Sequence, residues 1–164
     1  MPPLAPLFAP YEGAGCRCIP QGICRCQAYN QTMSTGPPHP EVFEFYIGGS
    51  IGPSLYVRLV DGRLLYERAS GGGYSGIVME ANPAPEEWAR FMETAGQLGI
   101  FRWKPEYITA HSCCDVTYWH LRLEIDGRSI TARGANAYPG SPGVGVSKEF
   151  GAFRAAVERL LGLE

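Results

Sequence analysis

Two Asp-Gly dipeptides, Asp61-Gly62 and Asp126-Gly127, each sit between runs of alternating apolar and polar residues, and this arrangement limits the fold more than any other feature of the chain. Asp-Gly supplies the positive φ at two successive residues that a type I′ hairpin turn needs, and the hand of that turn matches the twist of the strands it joins. Leu55, Val57 and Leu59 lead into the first turn, and Leu64 and Tyr66 return beside them. Trp119, Leu121, Leu123 and Ile125 lead into the second, and Ile130 and Ala132 come back opposite Leu123 and Leu121. Side chains alternate across a strand, so Tyr118, His120, Arg122 and Glu124 are predicted to point away from the core. Two more strands are predicted. One starts at Glu41, with Phe43, Phe45 and Ile47 on one face and Val42, Glu44 and Tyr46 on the other; a short one, Ile77-Val78-Met79, follows the glycine loop Gly71–Gly76.

Asn82-Pro83 or Ala84-Pro85 opens a helix with Glu86 and Glu87 in its first turn and Trp88, Phe91, Met92, Ala95 and Leu98 at helical spacing, ended by Gly99. Ser147 is the expected N-cap of a closing helix whose apolar stripe is Phe150, Phe153, Val157, Leu160 and Leu161, with Gly162 just past its end. Each helix is apolar on one side only and needs a sheet to cover it. The expected fold is therefore α+β: a mostly antiparallel sheet with two helices on one face. The order hairpin, loop, helix occurs twice and suggests a duplicated ββα unit, although superposing the turns puts Leu59 against Glu124 and the inward faces out of phase. Residues 41–164 read as one domain.

Residues 1–40 read as a separate arm. They hold eight of the 14 prolines, four of the six cysteines and three charges, Glu12, Arg17 and Arg25. Proline at that spacing blocks helix, and there is no sustained apolar period, so order must come from crosslinks, a metal or docking. The net charge of −2 and a pI near 5.9 leave no basic face for nucleic acid. No apolar run approaches the roughly 18 residues of a membrane helix. With four prolines in the first ten residues and no basic residue before Arg17, a secretory signal is not expected and a cytoplasmic location is. An extracytoplasmic location goes with disulfides in the arm.

Residues 16–26, CRCIPQGICRC, form a near-palindrome about Gln21. Folded back as a hairpin, they place Cys16 opposite Cys26 and Cys18 opposite Cys24, with all four sulfurs on one side and Arg17 and Arg25 on the other. Three chemical states compete for this segment. Opposed cysteines in an antiparallel pair stand near disulfide separation. The four thiolates also make a closed sulfur set for one metal, most naturally zinc, provided the two Cys-x-Cys arms bend. Free thiols are the third state, and a reducing compartment favours thiols over disulfides. The pattern resembles the doubly bridged Cys-x-Cys hairpins of protegrin-type and theta-defensin peptides over these eleven residues, without their cationic charge.

His111-Ser112-Cys113-Cys114-Asp115 gathers a base, two thiols and an acid just before a strand, and makes Cys113, Cys114 and His111 the candidates for nucleophilic or redox chemistry. A buried, inert pair of thiols is the ordinary alternative. The stretch Gly140–Gly145 superficially resembles a phosphate-binding loop, but Val146 stands where the phosphate-binding lysine belongs and no apolar strand feeds it. Trp88 and Trp119 occupy core positions. Trp103 and Tyr107, in the linker after the first helix, are expected to be free to line a pocket or interface.

Trp88, Phe91, Trp103, Tyr107, Asp115, Trp119-x-Leu121-x-Leu123, Asp126-Gly127, Gly134-x-Asn136-Ala137-Tyr138-Pro139, Phe150 and Phe153 together resemble a group of small bacterial domains of unknown function over residues 88–161. That resemblance implies an α+β fold and no activity. The function expected from the whole sequence is a non-catalytic interaction or accessory module whose cysteine arm docks on a partner protein. A thiol enzyme using Cys113 or Cys114 with His111, and a small-molecule binder using Trp103, Tyr107 and the glycine loops, are the alternatives.

Overall fold

The structure is a computed structural model that describes residues 39–49, 53–70, 73–109, 116–141, 143 and 145–163, within the unit Pro37–Glu164. Its strands are β1 (Val42–Gly49), β2 (Ser54–Val60), β3 (Arg63–Ser70), β4 (Gly73–Ala81), β5 (Glu106–Ile108), β6 (Thr117–Ile125) and β7 (Arg128–Ala135), and its helices are α1 (Pro85–Gln97) and α2 (Lys148–Leu160). They form one seven-stranded sheet in the order β4-β3-β2-β1-β6-β7-β5. All neighbours are antiparallel except β5 and β7.

Both Asp-Gly pairs make the turns their sequence requires. Asp61 and Gly62 have φ of 49° and 79°, and Asp126 and Gly127 have 50° and 70°. The sheet then assembles around β1, which pairs β2 on one side and β6 on the other, with Phe45 opposite both Val57 and Leu121. Both hairpin-and-helix units are present, but the first carries a four-strand meander and the second three strands with a parallel edge.

The helices cover one face of the sheet. Of the two openings the sequence offered for α1, the chain uses Ala84-Pro85, and Glu87 Oε2 accepts a hydrogen bond from Ala84 N at 2.6 Å. Ser147 caps α2 by accepting from Phe150 N at 3.0 Å, and its hydroxyl also donates to Pro139 O. Phe43 meets Trp88 and Phe91 of α1 edge-on, while Phe45 meets Phe150 and Phe153 of α2. Phe153 is wholly buried among the rings of Phe45, Phe91, Trp103 and Phe150.

Trp119 anchors the far end of this core. Its indole donates to Ala137 O at 2.8 Å, and Tyr138 stacks on it at 6.4 Å between ring centres. Gly134, its register partner on β7, leaves the space it needs, because a Cβ there would stand 2.3 Å from Trp119 Nε1. Asn136 turns the chain away with φ 50°, its Oδ1 accepting from Thr117 N. Gly134, Asn136, Ala137 and Tyr138 therefore each have a packing or backbone task around Trp119.

Two expectations need correction. Trp103 and Tyr107 are not free linker residues. Trp103 packs on Trp119, Phe150 and Phe153, and Tyr107 lies 5.7 Å from Trp119 on the core side of β5. β5 is three residues long, too short for alternation to show, and it exists because β7 offers it a parallel edge. The run Ile77-Val78-Met79 likewise extends to nine residues, Gly73–Ala81. Register shifts in the β3–β4 pair, with Gly76 at φ 83°, absorb the glycines inside a strand.

Candidate functional site

Among the described residues no helix covers the second face of the sheet, and its side chains follow from register. One transverse row runs Ile77, Glu67, Tyr56, Tyr46, His120, Arg133, Glu106 across all seven strands. The neighbouring row runs Glu80, Leu65, Arg58, Glu44, Arg122, Thr131. Alternation along β1, β2 and β6 puts these residues opposite the core, which is why a strongly apolar strand such as β1 also carries Glu44 and Tyr46.

At the centre the side chains hold one another. Tyr56 donates its hydroxyl to Glu44 Oε1 at 2.7 Å, and His120 Nε2 lies 3.3 Å from the same oxygen. The His120 ring stacks on Tyr46 at 5.6 Å and 20°. The hydrogen bond from Tyr56, with help from His120 and Arg122, holds the Glu44 carboxyl below its usual range against the opposing effect of burial. Burial first, and then the adjacent carboxylate, push the Tyr56 phenol up to about 12. Tyr56 is thus a hydrogen-bond donor at neutral pH and not a base. Arg58 pairs with Glu67 at 2.8 Å, and Arg133 with Glu106 at 2.6 Å. The result is a pre-ordered surface of paired charges, on which the buried Nε of Arg58 has no hydrogen-bond partner among the described residues.

Beside this row the face is hollow. Ala135 on β7 stands between Tyr118 on β6 and Ile108 on β5, and its methyl leaves unfilled the place that a large side chain would take. The recess is about 430 Å³, lined chiefly by Tyr46, Ile108, Tyr118, His120, Arg133 and Ala135. Its two walls are open to solvent, with Ile108 66% and Tyr118 53% exposed. Among the described residues, exposed large apolar side chains concentrate on this face. Val60, Ile77, Ile108 and Tyr118 lie on it, and Val78 is beside Ile77 at the β4 bulge, leaving Val146 and Leu163 elsewhere. A larger depression of about 550 Å³ lies between α1 and α2, but the ends of Glu87, Arg90, Glu93, Gln97 and Arg159 dominate its lining. Phe91, Ala156 and Leu160 also line it, but its walls are polar, and it is the weaker candidate.

The residues singled out from sequence fare unevenly. Cys16, Cys18, Cys24 and Cys26, and His111, Cys113 and Cys114, lie outside the described residues. Among the described residues no group of three or more His, Cys, Asp or Glu is placed to hold a metal. Gly140, in the glycine stretch before α2, has φ 73° and packs so closely on the Glu149 carboxylate that a Cβ would stand 2.1 Å from Oε2. A carboxylate at that position opposes an anion, in keeping with the missing lysine. The central trio Tyr56, Glu44 and His120 escaped sequence reasoning, which placed Glu44 and His120 on outward faces without pairing β1 with β6. Among the described residues no helix is long and apolar enough to cross a membrane. Compared with known proteins, the chain matches no family model and no curated protein.

Proposed function

We propose that the chain is a non-catalytic interaction module that receives a protein partner on the open face of its sheet. One observation carries this reading: among the described residues, most of the exposed large apolar side chains lie on the face of the sheet that no helix covers, which also holds a recess and a locked Tyr, His and Arg row. Large apolar side chains left exposed on one face of a fold mark interaction sites, and Tyr and Arg are over-represented at interface centres. The trio Tyr56, Glu44 and His120 fixes side chains before contact, which lowers the entropy lost on binding.

The four-cysteine segment Cys16, Cys18, Cys24 and Cys26 supplies a second contact in this reading, tied by zinc in the cytoplasm or by disulfides outside it. The test is quantitative affinity capture with the full chain. Tyr118→Glu with Ile108→Glu, and deletion of residues 1–40, are each expected to lose the bound protein, whereas Arg90→Glu on the helix side keeps it. Capture that survives both changes overturns the reading.

A further inference from the structure

We propose that the occupant of the open face is a second copy of this chain, packed sheet on sheet about a two-fold axis parallel to the strands and passing between β1 and β2. This rests on the reading of that face as an interface and names its partner.

The face is self-complementary in shape. It has an apolar projection at one edge, Ile77 and Val78 on β4, exposed by 52% and 55%, and an apolar recess over Ala135 at the other. Ile77 stands in the same transverse row as Tyr46, His120 and Arg133, which line that recess. A two-fold axis along the strands keeps every residue at its own level and reverses the order of the strands. With the axis between β1 and β2, β4 of one copy falls over β7 of the other, β3 over β6 and β2 over β1. Ile77 of each copy then lies over Arg133 of the other, against the wall of the recess that Tyr46, His120 and Arg133 form.

Charge selects this placement of the axis. Running it along β1 itself sets Glu67 against Arg133 but also Glu44 against Glu44 and Arg58 against Arg122, so like charges meet at the centre. Moving it half a strand toward β2 sets Arg58 of one copy over Glu44 of the other, Glu67 over His120, Tyr56 over Tyr46 and Leu65 over the stem of Arg122. Moving it the other way faces Glu67 with Glu106 and leaves Ile77 beyond the sheet. Sheets that pack face to face stand about 10 Å apart with strands nearly aligned, as this arrangement requires. Six overlapping strands of about seven residues cover about 600 Å² on each copy, or about 1,200 Å² in all, within the range of specific interfaces.

Each contact occurs twice in such a pair, so a change worth tenfold at one contact lowers the association constant about a hundredfold. Sedimentation velocity on the full chain across a concentration series is expected to show a monomer–dimer equilibrium. Ala135→Trp, which fills the recess, and Ile77→Asp, which charges the projection, each shift it toward monomer by about that factor, while Val146→Asp, off this face, leaves it unchanged. An equimolar mixture of Ala135→Trp and Ile77→Asp restores one contact and associates more tightly than either variant alone.

A photo-crosslinking side chain at position 77 of the otherwise unaltered chain gives a readout that does not depend on those variants folding. It is expected to join residues 128–136 of the second copy. A monomer at every concentration, a dimer indifferent to both variants, or a crosslink elsewhere overturns the proposal. A monomeric chain that still loses a protein partner on Tyr118→Glu keeps the interface reading and removes the second copy from it.

Discussion

The same substitution at two glycines should move stability in opposite directions. In β7, Gly134 is opposite Trp119, and a Cβ there would lie 2.3 Å from Nε1 and 2.5 Å from Ala137 O, the carbonyl that accepts the indole hydrogen bond. An alanine in a strand gains about 0.5–1 kcal/mol over glycine by reducing the freedom of the unfolded chain. At position 134 that gain is outweighed. Overpacking a filled core costs about 1–3 kcal/mol, and displacing the indole from Ala137 O removes a buried hydrogen bond worth about 1 kcal/mol more. Trp119 does not yield easily: it is 2% exposed and ringed by Trp103, Tyr107, Tyr138 and Phe150. The net expectation is a loss of about 2–3 kcal/mol, or a fall of about 8–12 °C in Tm for a unit of this size. At Gly96, exposed in α1 with nothing within 4 Å of a Cβ, alanine should instead gain about 0.5–1 kcal/mol. Chemical denaturation of both variants, followed by tryptophan fluorescence, measures the two signs. A Gly134→Ala protein as stable as the parent would refute the close approach on which the Trp119 corner is built.

Four further outcomes follow from the same structure. Phe153→Ala, at the centre of the ring cluster, should cost about 3–5 kcal/mol in urea unfolding. Gly62→Ala places a Cβ at φ 79° and should cost about 1–2 kcal/mol while leaving the circular dichroism of the native state unchanged. The carboxyl of Glu44 titrates below its unfolded value, so its contribution is present above the ordinary carboxylate pKa and is lost as pH falls through the lower folded value. The stability gap between the parent and Glu44→Gln should therefore be widest near neutrality and close below about pH 4. In a spectrophotometric titration one tyrosine should ionise at about 12, and that step should vanish in Tyr56→Phe while the others remain.

The fold was legible wherever one local rule decided the outcome. Asp61-Gly62 and Asp126-Gly127 set two hairpins because few other dipeptides accept two positive φ values in succession, and Phe43, Phe45 and Ile47 declared their face by simple alternation. β5 stayed hidden because three residues carry no period and its parallel partner β7 lies far along the chain. The extent of β4 stayed hidden because its glycines read as a loop until the bulges opposite Glu67 are seen. The site was harder to read than the fold. Glu44 and His120 are 76 residues apart and meet only because β1 pairs with β6, a long-range choice that alternation does not specify. Trp103 and Tyr107 looked available because sequence shows their aromatic character but not the Trp119 they pack upon.

In the proposed reading the helices close one face of the sheet and the other receives the partner. Hydroxyl-radical footprinting of the full chain, at high dilution and again in its bound state, tells the two faces apart. Ile77 and Tyr118 are expected to react readily at high dilution and to become protected on binding, while Trp88, Trp119 and Tyr138 stay unreactive throughout. Protection that falls on the outer surfaces of α1 and α2, or a Tyr118 that is unreactive at high dilution, would contradict the account.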